Sequence, residues 1–246
     1  SAASDVYKRQ VLVLSEDKDI FGGELDNTIL KDQLNLMRVG EPMYVFYGYV
    51  EDGYDENGHI VYKNMDDDPA ITAADKTIIG DPNPDFLVNL TTAVSYKGFT
   101  LSAFFQSSIG NDIYSLSMAA QAYDYGYNGN TLREVYYNHW TPENPTAKYP
   151  NLDQTSYKMS DRFVYDGSFV RLKNLELAYD VPCARSKFIK RARVYVSAQN
   201  LFTITSYPFW DPDINANGGG SSMIQGVDSY CYPSARTYTI GCRLTF

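Results

Sequence analysis

The sequence predicts an all-β chain whose strands form part of an antiparallel transmembrane β-barrel with long loops at one end. Two observations carry that prediction. In the closing stretch, Tyr238, Ile240, Cys242, Leu244 and the terminal Phe246 alternate with Thr237, Thr239, Gly241, Arg243 and Thr245. A period of two describes a strand with one apolar and one polar side. Composition agrees: 22 Tyr, 12 Phe and 2 Trp make up 15% of the 246 residues, a mix that favours strands and irregular loops over helices. Apolar runs are only a few residues long, too short for a transmembrane helix. Low hydropathy does not count against a barrel, because barrel strands hide their lipid face in alternation.

Charge and cysteines narrow the function. A formal net charge of -9 argues against a nucleic-acid partner, which needs clustered Lys and Arg. The one basic cluster, 187–193, lies between two strand patterns and reads as a solvated turn. Cys183, Cys231 and Cys242 are odd in number and widely spaced, giving neither a metal signature nor a disulfide framework. No secretory leader opens the chain, so residence in the outer membrane implies sequence upstream.

Taken in order, residues 1–10 carry no pattern that joins the rest of the chain and resemble a non-native leader, which leaves 11–246 as the barrel part. A possible strand covers 28–39. Tyr44 and Phe46 on one face and Tyr47 and Tyr49 on the other suggest an extended segment packed on both sides. The stretch 64–75 has the outline of a calcium loop, with oxygen ligands from Asn64, Asp66, Asp68 and Asp75 around Ile71. A calcium loop needs Gly at its sixth position and a bidentate Glu at the end. Pro69 holds the sixth position here, so the reading is an acidic solvated loop and the expected cofactor is none. The prolines of 82–84 rule out a central strand there.

The alternation then becomes regular. Val88, Leu90, Thr92, Val94 and Tyr96 form one face of a first strand, and Phe99, Leu101, Ala103 and Phe105 that of a second. Lys97-Gly98 is a two-residue turn between them. Strands of about ten residues suit a tilted membrane crossing. The pattern dissolves from 110 to 167, with a helix expected at 131–140 and an even number of further strands somewhere in 107–167. Strands follow at 168–179 and 192–204, then a Gly-rich loop, 206–234, and the closing strand. Connections thus alternate short and long. Barrels put short turns in the periplasm and long loops outside, and placing Phe246 in the periplasm makes every long connection extracellular.

Seven ordered motifs now point to one family. They are Gly40-Glu-Pro with Phe46-Tyr-Gly-Tyr49, then Ile79-Gly-Asp-Pro-Asn-Pro-Asp-Phe86, Gly110-Asn-Asp-Ile-Tyr114 and Trp140-Thr-Pro-Glu-Asn-Pro145. The others are Asp166-Gly-Ser-Phe-Val-Arg-Leu-Lys-Asn174, Ser197-Ala-Gln-Asn-Leu-Phe-Thr203 and Tyr232-Pro-Ser-Ala-Arg-Thr-Tyr238. Together they resemble the C-terminal part of SusC/RagA-type TonB-dependent outer-membrane transporters. The resemblance implies a 22-stranded barrel occluded by a plug, a SusD-like surface lipoprotein as lid, and uptake of oligosaccharides or oligopeptides energised by TonB through the plug-bearing part. It also implies that Tyr238, Ile240, Leu244 and Phe246 form the signal read by the barrel-assembly machinery. The family usually keeps Gly where Pro69 stands.

No catalytic constellation appears. His59 and His139 have no Cys or nucleophile motif nearby, and Asp66, Asp67 and Asp68 sit in an open acidic loop, so both sets read as solvated surface. The aromatics of the long loops are the candidate substrate or lid contacts: Tyr123, Tyr125, Tyr127, Tyr136, Tyr137, Trp140 and Trp210. Sugar rings and protein interfaces favour such side chains, although they also pack large loops together. The alternative function is a soluble secreted β-sandwich that binds carbohydrate. A sandwich would bury Val88, Leu90, Val94, Phe99, Leu101, Phe105 and Leu244 against a second sheet; a barrel exposes them to lipid.

Overall fold

The alternating stretches fold as long strands because each needs a neighbour for its backbone groups and a two-sided environment for its side chains. The computed structural model describes residues 2–5, 10–15, 18–22, 25–26, 30–123, 130–183, 188–214 and 224–246. Its largest sheet holds six antiparallel strands: β1 (Ala2–Asp5), β2 (Phe86–Tyr96), β3 (Phe99–Ile109), β4 (Phe169–Val181), β5 (Arg191–Thr205) and β6 (Thr237–Thr245), paired in that order. This is an open section of barrel wall. At the β2–β3 hairpin Lys97 and Gly98 both take positive φ, 47° and 87°, the two-residue turn whose twist matches that of the strands.

Register fixes the faces. Val94, Leu101, Leu177, Val196 and Ile240 stand side by side across five strands. The adjacent row, Ala93, Ser102, Glu176, Ser197 and Thr239, points the other way. All five residues of the first row are exposed, Ile240 to 85%. Among the described residues no second sheet covers this apolar face, so the sandwich reading fails. Aromatic residues end the same face at the short turns, where Phe99 and Tyr179 lie 4.5 Å apart between ring centres, as a barrel's interfacial girdle requires.

The solvent-excluded core lies outside the wall. Leu34, Phe46, Tyr62, Tyr114, Met159, Phe163 and Val227 belong to one buried cluster, and each comes from the segments 10–85, 110–168 or 206–236. These three connections leave the same end of the wall, and their described residues pack into a cap. A three-stranded sheet stitches it together: Asp112–Ser115 pairs antiparallel with Val164–Asp166 and parallel with Val227–Asp228. Helix α1 (Leu116–Ala122) follows, with the Ser115 hydroxyl accepting from the Met118 amide at 3.3 Å. Ser is a favoured N-cap because it satisfies an otherwise orphaned amide. The short helix α2 (Arg133–Tyr137) buries Val135.

Several expectations change. The segment 110–168 adds no strand to the wall, because β3 pairs directly with β4; its short strands pair inside the cap. The helix expected at 131–140 is only Arg133–Tyr137. Helix α1 is buried on nearly every side, so it shows no amphipathic period by which to detect it. In 28–39 the strands are Lys31–Asp32 and Asn35–Met37, with 27–29 outside the described residues. The segment 1–10 is expected to stand apart, yet Ala2–Asp5 pairs with Leu87–Leu90. Pairing at an open edge requires only backbone groups, so any extended segment can take that place.

Candidate functional site

The inward face of the wall and the underside of the cap meet around Arg171. On β4, Phe169 and Arg171 point inward, and a bulge at Lys173 interrupts the register with both β3 and β5. Bulges re-aim side chains; here Lys173 Nζ comes to 3.9 Å from Asp213 Oδ2, beside Arg171. Arg171 is 1% exposed. Its Nε donates to Thr203 Oγ1 at 2.9 Å, its Nη1 to Asp213 Oδ2 and Ser234 Oγ at 3.1 Å each, and its Nη2 to Asp211. Asp211 in turn accepts the amides of Ser234 and Asp213 at 2.8 and 2.9 Å. Burial pushes the Asp211 carboxyl up, but those amides and the guanidinium outweigh it and hold its pKa below the ordinary carboxylate value. Two motifs distant in sequence, Phe-Val-Arg and Tyr-Pro-Ser, thus close one clamp that holds Asp211, Asp213 and Ser234 against the inward face of the wall.

The remaining motifs make the cap's joints. Asp112 Oδ2 accepts the Asp81 amide at 2.9 Å, and the Asp112 amide donates to Asp81 O at 2.7 Å. The Gly110 amide donates to Ser168 Oγ, and the Gly167 amide to Asn111 O. Glu51 holds Arg162, whose Nε donates at 2.9 Å, and accepts the Ser160 hydroxyl at 2.6 Å. Two clefts open where cap and wall meet. One, of 380 Å³, is bounded by Gln106, Ser108, Phe169, Asp112, Asp213 and Ile224. The other, of 330 Å³, lies between Arg171, Asn200, Thr203, Trp210, Ser234 and Arg236.

The candidate aromatics divide. Trp210 is 56% exposed and stacks on Phe209 at 4.9 Å, at the edge of the second cleft. Tyr136 and Tyr137 are exposed on α2 and meet edge to face at 5.3 Å. Trp140 is half-buried, pressed on Gly58; a Cβ there would sit 2.3 Å from its ring and φ is +79°, so this close approach requires glycine. Tyr123 is a correction to the surface list. It is 3% exposed, stacked on Tyr157 at 3.8 Å and edge-on to Phe163 at 5.1 Å, so it packs the cap. Tyr125 and Tyr127 lie outside the described residues. Sequence reasoning missed Arg171 as a site residue, although its motif was visible, because its partners sit between 32 and 63 residues away.

In the calcium-like loop the oxygens turn onto the loop's own backbone. Asp75 Oδ1 accepts from the Met65 amide and Oδ2 from the Thr72 amide, each at 2.7 Å, which lowers its pKa. Asn64 and Asp66 each accept the amide two residues on, at 3.1 and 2.8 Å, as Asp68 does for Ala70 at 3.0 Å. Among the described residues no group of three or more His, Cys, Asp or Glu gathers to hold a metal. His59 Nε2 lies 2.9 Å from Asp153 Oδ1, and His139 Nδ1 2.6 Å from Tyr136 O. Tyr238, Ile240, Leu244 and Phe246 all stand exposed on the outward face.

A wall apolar outside and polar inside, with long loops gathered at one end, defines a section of an outer-membrane β-barrel. Comparisons carry the identification further. The chain is 31% identical over 260 aligned residues to TonB-dependent receptor P3 of Formosa agariphila, covering 97% of this chain and 26% of that protein. It is 30% identical to TonB-dependent receptor SusC of Bacteroides thetaiotaomicron over 215 residues, 85% of this chain and 20% of that one. The RagAB peptide importer in its open-open state superposes with a TM-score of 0.76 at 25% identity, over 100% of this chain and 26% of that chain. No protein-family model matches. The chain is a barrel fragment of the SusC/RagA type of TonB-dependent receptor. It spans about a quarter or less of the length of the relatives it matches.

Proposed function

We propose that this chain is the C-terminal barrel part of an outer-membrane nutrient importer of a Gram-negative bacterium, working with a SusD-like surface lipoprotein as lid and energised by TonB through the part that bears the plug. The observation that carries the reading is the two-faced wall: its uncovered apolar row suits lipid, and its polar row suits an aqueous path. The relatives are named receptors and importers, which supports transport rather than catalysis. The cargo is an oligosaccharide or an oligopeptide. The RagAB likeness supports peptide, since that relative is described as a peptide importer; Trp210 beside a polar cleft suits either a sugar face or an apolar side chain. Trp210, Tyr136, Tyr137 and Trp140 remain the proposed contacts for cargo or lid. The outward residues ending at Phe246 are the proposed signal for the barrel-assembly machinery.

The test uses the full-length protein in a Gram-negative host. It should fractionate with the outer membrane, need detergent for extraction, and support growth on either an oligosaccharide or an oligopeptide only while TonB is present. Recovery as a soluble, cooperatively unfolding protein would sink the reading.

A further inference from the structure

Charge is divided unevenly between the two faces of the wall. β2 and β3 hold no charged residue, and those of β4, β5 and β6 lie in the inward register or at the bulge of Lys173. The carboxylates of these strands, Glu176 and Asp180, both reach the inward Arg193, at 3.6 and 3.3 Å. The outward face is therefore uncharged along the strands. Closing a barrel adds strands beside this wall and lays none of them over its outward face, so the exposure of that face does not come from the open edges.

At the short-turn end the pattern changes. Lys97, in the β2–β3 turn, holds its Nζ 5.2 Å from the centre of the Tyr96 ring, and Tyr96 is 69% exposed in the outward row. The ring attracts the ammonium without neutralising it. Lys190, exposed directly before β5, lines a concavity of 580 Å³ that wraps the rim from Val181 and Ala192 on the outward side to Arg191 and Arg243 on the inward side. The one acid there, Asp180, is paired with Arg193. The two turns are neighbours: the Asp180 amide donates to Gly98 O at 2.9 Å, and two strand intervals separate the turns, about 10 Å. In the adjoining outward row Ala192 lies between the larger Val181 and Leu244, which leaves a shallow apolar notch leading up from the rim.

We propose that this rim binds a phospholipid with an anionic headgroup from the periplasmic leaflet, its phosphate held by Lys97 and Lys190 and an acyl chain laid in the notch at Ala192. Lysines at interfacial depth lay their stems along apolar surface and extend the ammonium to the headgroups. Basic concavities beside membrane-spanning segments take anionic headgroups. Charge complementarity makes the choice of lipid, because a zwitterionic headgroup offers two ammonium groups no net attraction. The whole chain carries a net charge of -9 and would repel an anionic lipid, so the attraction is local to the rim. The proposal rests on the importer reading, which sets the wall in a bilayer with its short turns in the periplasm.

Full-length protein extracted from the outer membrane is titrated with equal amounts of phosphatidylglycerol and phosphatidylethanolamine, and the lipids it retains are counted by native mass spectrometry. Phosphatidylglycerol should be retained several-fold more. The double variant K97Q/K190Q should bring the ratio close to one, K97R/K190R should keep it, and K148Q, in the cap, should leave it unchanged. A parent ratio near one overturns the proposal, as does a preference that survives K97Q/K190Q or is lost in K148Q. If the glutamine variant does not assemble, salt decides. The parent's preference should shrink in about 1 M salt, where the Debye length is about 3 Å, and a preference indifferent to salt overturns the proposal. Displacement of the retained phosphatidylglycerol by inorganic phosphate marks a free-anion site and overturns it too. Absence of the full-length protein from the outer membrane strikes the importer reading, whereas normal insertion without a headgroup preference strikes only the lipid site.

Discussion

Wall and cap use the same apolar residue types in opposite ways. In the wall, Val94, Val196, Ile240 and Phe246 stand exposed on one face, so burial among themselves cannot stabilise the sheet. Its apolar area leaves water only when lipid covers it, and its edges stay open to any other strand. In the cap, Phe46, Tyr114, Phe163 and Val227 are excluded from solvent by neighbours from three separate connections, so burial there contributes to folding directly. Yet the cap segments are brought together only because the wall delivers their ends to one side. The wall depends on its surroundings and the cap on the wall.

The first way to test that contrast is Phe46→Ala. Truncating a fully buried aromatic side chain costs about 3–5 kcal/mol, so limited proteolysis of the full-length protein should cut the cap while the barrel stays folded. Arg171→Ala strips the countercharge from Asp211, and breaking a buried pair costs about 3–5 kcal/mol. Loop 206–236 should exchange amide hydrogens much faster, whereas Arg171→Ala with Asp211→Asn and Asp213→Asn should recover part of the loss. On the wall, Val196→Arg puts a cation on the lipid face at a cost of about 2–4 kcal/mol, while Ser197→Arg, one residue on and facing the lumen, should be nearly neutral. Urea unfolding in lipid vesicles compares the two.

Acidity should separate the regions more gently. Asp211 has a depressed folded pKa, so its contribution is present above the unfolded value of about 3.9 and is lost as pH falls through the folded one. Protection of loop 206–236 should hold at neutral pH and decline below about pH 4, while the wall's own exchange changes little. The smallest expected effect is calcium. The carboxylates of 64–75 already accept backbone amides, so calorimetry on the full-length protein should record no heat at millimolar calcium. A binding heat that disappears in Asp66→Asn would restore the metal site.

The wall was legible in the sequence because a strand's side-chain period is local. Val88 to Tyr96 and Tyr238 to Phe246 announce their faces without reference to any other segment, and the alternation of short and long connections set their direction. Boundaries shifted by only a residue or two, as at Phe169–Val181 and Arg191–Thr205. The motifs were equally visible as strings, but their purpose was not, because nothing local says that Ser234 will meet Arg171 or that Trp140 will lie on Gly58. Tyr123 was misplaced for the same reason: a tyrosine in a Gly- and Asn-rich stretch looks solvated until Tyr157 and Phe163 close over it.

What the sequence determined by itself, then, was the alternation that makes β2 to β6 a two-faced wall, since it follows from backbone geometry within each strand. Tertiary structure alone decided that three irregular connections share one core, that Arg171 is clamped by Asp211 and Asp213, and which tyrosines face water. Those outcomes depend on contacts between segments tens of residues apart, and no period along the chain records them.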